Sequence, residues 1–364
     1  MKKSISIILT CCYTMLWGQN GPIAVLPGHS NDVEAVSYSA LGYIATGSFD
    51  YKINIYLADS PYTLFKTLSG HVGPVNTLRF NKNGKLLASS GEDHVILIWD
   101  SLWRNARRLE GHKDKVTCLA FDGYGRYLYS GSDDKNVLVW DMNNGQQVKS
   151  ITHSSGVTAI APTSDFKFVY ISGSEPKIKL YDFLSGKVVK SLDGHTDAVN
   201  DIKISPNGKY LLSGSNDKTA RIWNLATGKQ LRILPVDCWK VTAVAFSTDS
   251  RYAITACNDG STKVWEVETG KLISNTENPG VIARCVSFGK DNTNMLFAGM
   301  LRNSTEYGLK IFKTGIQPVS PLAAPVKEVK QDTSSNKLPK IIPKTPATPA
   351  INQPNAPKTA PKKQ

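Results

Sequence analysis

No run of 18 or more apolar residues occurs in this 364-residue chain, which argues against a conventional membrane-spanning helix. There is no Cys-x-x-Cys and no glycine-rich phosphate loop; Gly-Lys steps such as Gly208-Lys209 and Gly228-Lys229 read as hairpin turns. Charge of one sign is also scarce where a nucleic-acid surface would need it. The formal net charge is +13, yet residues 21–314 carry 33 bases against 28 acids, only +5. The basicity lives mainly in the ends, so nucleic acid is not expected as a partner. What is present is an ordinary apolar fraction, 41% hydrophobic with 9% aromatic, which excludes wholesale disorder and supplies a large core. Length alone suggests two or three domains.

The two ends differ from the middle. Met1-Lys2-Lys3, an interrupted apolar run from Ile5 to Trp17 and the polar step Gly18-Gln19-Asn20 resemble a secretory signal peptide over residues 1–18. The alternative is a frayed N-terminal strand or buried segment. Cys11 and Cys12 raise lipoprotein processing, but neither follows Gly, Ala or Ser, and apolar residues continue beyond them. Residues 315–364 hold ten of the nineteen prolines, eight lysines against Glu328 and Asp332, and no aromatic residue. Such a segment cannot bury enough apolar surface to offset its ordering entropy, so a disordered Pro/Lys-rich tail is expected. Its lysines suit an anionic surface; a solvated linker is the alternative.

Between the ends the chain repeats. A His recurs four residues before an apolar strand opener: His29…Val33, His71…Val75, His112…Val116, His153…Val157 and His195…Val199. Each unit closes on an aromatic residue (Tyr56, Trp99, Trp140, Tyr181, Trp223, Trp265, Phe312), at spacings of 43, 41, 41, 42, 42 and 47. Six residues before each lies an acid: Asp50, Asp93, Asp134, Glu175, Asp217, Asp259 and Glu306. A period of this size marks a repeat architecture. Within a unit, β-prone runs alternate with turn signals, as in Val199–Ile204, Asn207-Gly208, Lys209–Ser213, Thr219–Trp223 and Thr227-Gly228, giving four-stranded antiparallel meanders.

The Gly-His steps, the turn acids and the pairs Trp99-Asp100 and Trp140-Asp141 resemble the WD-repeat β-propeller family. The resemblance covers residues 22–314 and implies an all-β, seven-bladed propeller. The strand Ile23–Leu26, orphaned before the first Gly-His, is expected to complete the last blade, because unit seven ends at Phe312 without an outer strand. Asp237 and Pro279 stand where units six and seven should carry His, and unit seven has about five extra residues around Asn303.

The resemblance also implies a role for most of the histidines. In such units the His bonds the turn Asp, a Ser or Thr on the second strand and, through it, the Trp of the third. That assigns His71, Ser89, Asp93 and Trp99; His112, Ser130, Asp134 and Trp140; and His195, Ser213, Asp217 and Trp223 to structural networks. A hydrolytic triad uses the same residue types, but three copies at one spacing argue for structure. His94 alone is left over, which makes neither a metal site nor an acid–base pair. Neither a catalytic residue, a metal nor a cofactor is expected. Cys118 and Cys285 share a strand position and read as buried free thiols. Cys238 and Cys257 lie at one end of unit six, and a disulfide between them in an oxidising compartment is the alternative to two more thiols.

What remains is surface. In this architecture the loops before each first strand and the turns between second and third strands crowd one rim. The residues before the turn acids are Phe49, Glu92, Asp133, Ser174, Asn216 and Asn258; the loops add Asp32, Lys115, Trp239 and Lys240. Trp239 either serves a partner, as tryptophan often does at binding hot spots, or folds over unit six in place of the missing His. The expectation is a non-catalytic protein–protein interaction scaffold: a monomeric propeller exported to a bacterial periplasm or cell envelope. It would bind a protein of a membrane or envelope complex through Phe49, Glu92, Asp133, Asn216, Trp239, Lys240 and Asn258, with the tail as second contact. Two alternatives are a small-ligand-binding or enzymatic propeller using the central channel, and an intracellular scaffold with an uncleaved N-terminus.

Overall fold

The structure, a computed structural model, describes residues 21–278, 280–301 and 307–317. The expected signal segment, the tail beyond residue 317, Pro279 and Glu306 lie outside the described residues. Seven four-stranded antiparallel sheets form a seven-bladed propeller, and no helix occurs among the described residues. Blade one is typical: Val33–Tyr38, Tyr43–Ser48, Ile53–Leu57 and Leu64–Leu68 follow one another as a meander.

The short Gly and Asn turns fix strand order within a blade, but no blade can bury both of its faces alone. Seven buried clusters do this, one between each neighbouring pair of blades. Between blades one and two, for example, Ile53, Ile55 and Leu68 meet Val75, Leu78 and Trp99. Hence the second strands of blades one to six are buried on both faces, as expected for a sheet stacked between sheets. The approach is close: a Cβ on Gly131 would stand 2.5 Å from Val157 Cγ1 of the next blade.

Blade seven closes the ring. Its order is Ala24–Leu26, Leu309–Lys313, Asn294–Leu301 and Val281–Phe288, so the N-terminal strand supplies the missing outer edge. The register is Ala24↔Ile311, Val25↔Lys310 and Leu26↔Leu309, extended by Ile23 N–H donating to Ile311 O at 2.7 Å. At the other end, Ile316 packs against the cluster between blades six and seven.

A second regularity was not anticipated. In every blade the innermost strand slips register once near its start, leaving one bulged residue. Those residues are Glu34, Asn76, Thr117, Thr158, Asn200, Thr242 and Arg284, one per blade. A bulge re-aims its side chain, and here all seven line the central channel. Some also tie blade to blade: Thr117 Oγ1 donates to Val157 O and Thr158 Oγ1 to Val199 O, both at 2.5 Å, and Asn200 Nδ2 to Val241 O at 2.7 Å.

Candidate functional site

Each Ser-His-Asp constellation lies inside one blade, tying its entry loop and turn to its second and third strands rather than facing a surface. In blade two, Trp99 Nε1–H donates to Ser89 Oγ (2.9 Å), Ser89 pairs with His71 Nε2 (2.8 Å) and His71 Nδ1 with Asp93 Oδ2 (2.8 Å). Blades three and five repeat it through His112, Ser130, Asp134, Trp140 and through His195, Ser213, Asp217, Trp223, with every contact between 2.7 and 2.9 Å. Burial pushes the His112 and His195 imidazoles below their ordinary range despite the Asp contacts, so they are neutral links. For Asp50 of blade one, burial raises the carboxyl, but bonds from His29 and the Ser30 and Lys52 backbone outweigh it and hold it at about 2. The serines are 0% exposed and already shared by two partners, so no substrate can meet them.

The other blades use substitutes. In blade one Thr46 replaces Ser, and the Tyr56 hydroxyl donates to Pro27 O at 2.9 Å. In blade four the His153 ring lies differently: Nδ1 meets the Tyr181 hydroxyl (2.8 Å), while Nε2 lies 2.9 Å from Glu175 Oε1 but out of line for a hydrogen bond. Blade six lacks the His, and a Cys238–Cys257 disulfide joins its entry loop to its second strand. The two-thiol reading of that pair is therefore corrected. Asp237, at the His position, instead meets Lys263 Nζ at 3.0 Å.

The rim residues fall into two groups. Phe49, Glu92, Lys115 and Lys240 gather with Glu34 and Arg284 around a channel-mouth cavity of about 360 Å³. Asp133 meets Lys115 (3.3 Å), Asn216 accepts from Asn200 Nδ2 (2.9 Å) and Asn258 Oδ1 accepts from Lys240 N–H (3.2 Å), so these three brace the mouth. Trp239 is 78% exposed and does not fold over blade six in place of the missing His.

The family signature "WD domain, G-beta repeat" matches residues 20–56, 62–100, 103–141, 145–182, 186–224 and 228–266. The chain belongs to the WD40 repeat family. Apart from its N-terminal strand Ala24–Leu26, the last blade of this WD40 propeller lies beyond the matched stretches and is defined by its strands. Among curated relatives, the F-box-like/WD repeat-containing protein TBL1X of Mus musculus is 36% identical over 73 residues, 20% of this chain and 14% of that protein. The COMPASS component SWD3 of Saccharomyces cerevisiae is 37% identical over 79 residues, 21% and 24% respectively. A probable cytosolic iron-sulfur protein assembly protein 1 from Malassezia globosa is 31% identical over 98 residues, 23% and 28%. The matches thus span less than a third of each relative.

Sequence reasoning missed the charge inside this WD40 channel. Glu34, Arg79, Asp201, Lys203 and Arg284 all line it, beside Cys118 and Cys285. The two thiols are partly open to the channel, yet burial pushes Cys118 up to about 12 and raises Cys285 as well, so neither is an activated nucleophile. Glu34 is the outlier. Its side chain is 11% exposed, Arg284 Nε stands 3.4 Å away, and Oε1 has no hydrogen-bond partner. Burial raises the carboxyl to about 7; Arg284 opposes the shift, and Asp32 and Glu92 add to it.

An acid with a raised folded pKa holds its proton more tightly when folded. Its stabilising contribution is complete below the unfolded value and is lost as pH rises through the folded one. For Glu34 that window runs from 4.5 to about 7. Glu34→Gln should therefore gain on the wild type by about 2 kcal/mol between roughly pH 5 and pH 8. Paired urea titrations at the two pH values measure this difference, since pH effects common to both proteins cancel. A difference that does not change with pH would remove the assignment.

Proposed function

We propose that this protein is a non-catalytic interaction scaffold that works in an oxidising, extracytoplasmic compartment of a bacterium and binds a protein partner across the channel-mouth rim. The observation that carries the reading is Trp239, a fully presented indole on the loop that also supplies Lys240 to the mouth. A large exposed aromatic on an otherwise polar rim is costly unless something covers it, and tryptophan dominates binding hot spots. Phe49, on blade one and separated from blade six only by blade seven, offers a second apolar anchor within a charged surround of Glu92, Lys115 and Arg284. A relative named as a COMPASS component accords with work inside an assembly.

Export is supported by the charged and apolar start of the chain and, independently, by the disulfide, because such bonds are rare where thiols are kept reduced. The lysine-rich tail would add a second, weaker contact that raises avidity if it reaches the partner or an anionic surface.

The test is capture of the full-length protein from its own cells after mild cross-linking, beside a Phe49→Ala/Trp239→Ala variant. A stoichiometric partner should be lost from the variant, and in the purified pair Trp239→Ala alone should weaken binding by about 30-fold, the cost of one hot-spot residue. Equal capture by both proteins would remove the rim from the proposal.

A further inference from the structure

The channel holds more positive charge than its own carboxylates match. Arg79 enters from blade two and Lys203 from blade five, nearly opposite each other in the ring, and both line a cavity of about 130 Å³. They occupy the same register position on their innermost strands. The equivalent residues elsewhere are small: Ser37, Ala120, Ala161, Ala245 and Ser287. Two long cations thus project into a ring position that five blades leave with little bulk.

Their neutralisation is uneven. Lys203 pairs with Asp201, whose second oxygen is already taken by Val244 N–H at 3.0 Å. Arg284 stands beside Glu34 in the upper, bulged ring. Among the described residues no carboxylate pairs with Arg79; its guanidinium donates only to the neighbouring Leu78 O, at 2.9 Å, which leaves most of its five N–H groups for another acceptor. Burial, and then the Arg79 charge, lower the Lys203 ammonium against the pull of Asp201, so the two cations feel each other across the channel. Lys203 is ringed by protein on all sides yet open along the axis, which reconciles its desolvation with a side chain that is 30% exposed. A partly buried charge without a counter-charge is costly, and an anion seated between the two would offset that cost.

We propose that the Arg79–Lys203 cavity of the channel binds a small oxyanion, a phosphate or a short carboxylate. The volume equals about four waters, which fits such an ion and is well below the roughly 300 Å³ at which pockets for larger organic ligands begin. Arginine would hold it through paired N–H donors and lysine as a point charge.

Thermal melts of the full-length protein in sodium phosphate, sodium acetate and sodium chloride, at one pH and one ionic strength, test this. About 10 mM of the preferred oxyanion should raise the melting temperature by about 2 °C over chloride. A rise in phosphate, in acetate or in both supports the site and identifies which oxyanion it takes. Arg79→Ala/Lys203→Ala should melt alike in all three salts; alanine at this position in blades three, four and six shows that the ring closes without a long side chain there. Arg79→Gln, which keeps the bulk, provides a second variant that should lose the rise. Lys240→Ala at the mouth should keep it. Identical wild-type melts in the three salts, or a rise that survives in Arg79→Ala/Lys203→Ala, would overturn the proposal.

Discussion

Removal of residues 21–27 should lower the melting temperature by about 10 °C, the largest effect expected from any short deletion in this chain. Leu26 is only 2% exposed and packs with Val33, Val36, Ile44 and Tyr56 of blade one and with Leu296, Leu309 and Ile311 of blade seven. Losing that side chain costs about 2–5 kcal/mol in burial and cavity alone. The deletion also removes the ladder to Leu309–Lys313, turning a paired strand into an open edge that invites association with other chains. Ile23 and Val25 are largely exposed, so Leu26→Ala should reproduce much of the loss without removing the backbone contacts. A calorimetric scan of wild type, Leu26→Ala and the deletion should rank them in that order. An unchanged melt for the deletion would mean that ring closure contributes nothing to stability.

The closure was legible because it follows from counting: seven aromatic closers, six complete meanders, one strand left over at the start and a last unit one strand short. The interior networks were legible for the same reason, since a spacing repeated across units can be read without knowing any coordinates. The channel was not. Glu34 and Arg284 are aimed inward by a one-residue bulge, and a bulge breaks the alternation of apolar and polar residues that would otherwise show which side chains face inward. Arg79 and Lys203 carry no repeat spacing that would single them out, and only the propeller shows that the free edge of the innermost strand lies on the axis. Trp239 had two readings because its own unit does not show what braces blade six without the His. Alignment of the units supplies the missing signal: Cys257 stands two residues before the turn acid Asp259, where Ser48, Ser132 and Ser215 stand before Asp50, Asp134 and Asp217.

That equivalence turns the disulfide into a graded prediction. In blades one, three and five the serine hydroxyl donates to the entry loop, Ser48 to Asn31 O at 3.1 Å, Ser132 to Asp114 O at 3.1 Å and Ser215 to Asp197 O at 3.0 Å. Blade six makes the same loop-to-strand link covalently, across 19 residues, and has no His clamp beside it. Opening the bond should therefore cost about 3 kcal/mol, chiefly through the freedom returned to the unfolded chain. Cys238→Ala/Cys257→Ser should recover about 1 kcal/mol of that relative to Cys238→Ala/Cys257→Ala, because serine restores the hydroxyl that the sister blades use. Urea titrations of wild type with and without reductant, and of both double variants, separate these values. If reductant leaves the wild type unmoved, the link does not stabilise blade six. The same bond also bears on location. Protein taken from its own cells under thiol-trapping conditions should carry it intact if the propeller lives in an oxidising compartment, whereas a fully reduced pair would place it where thiols are maintained and withdraw the strongest structural support for export.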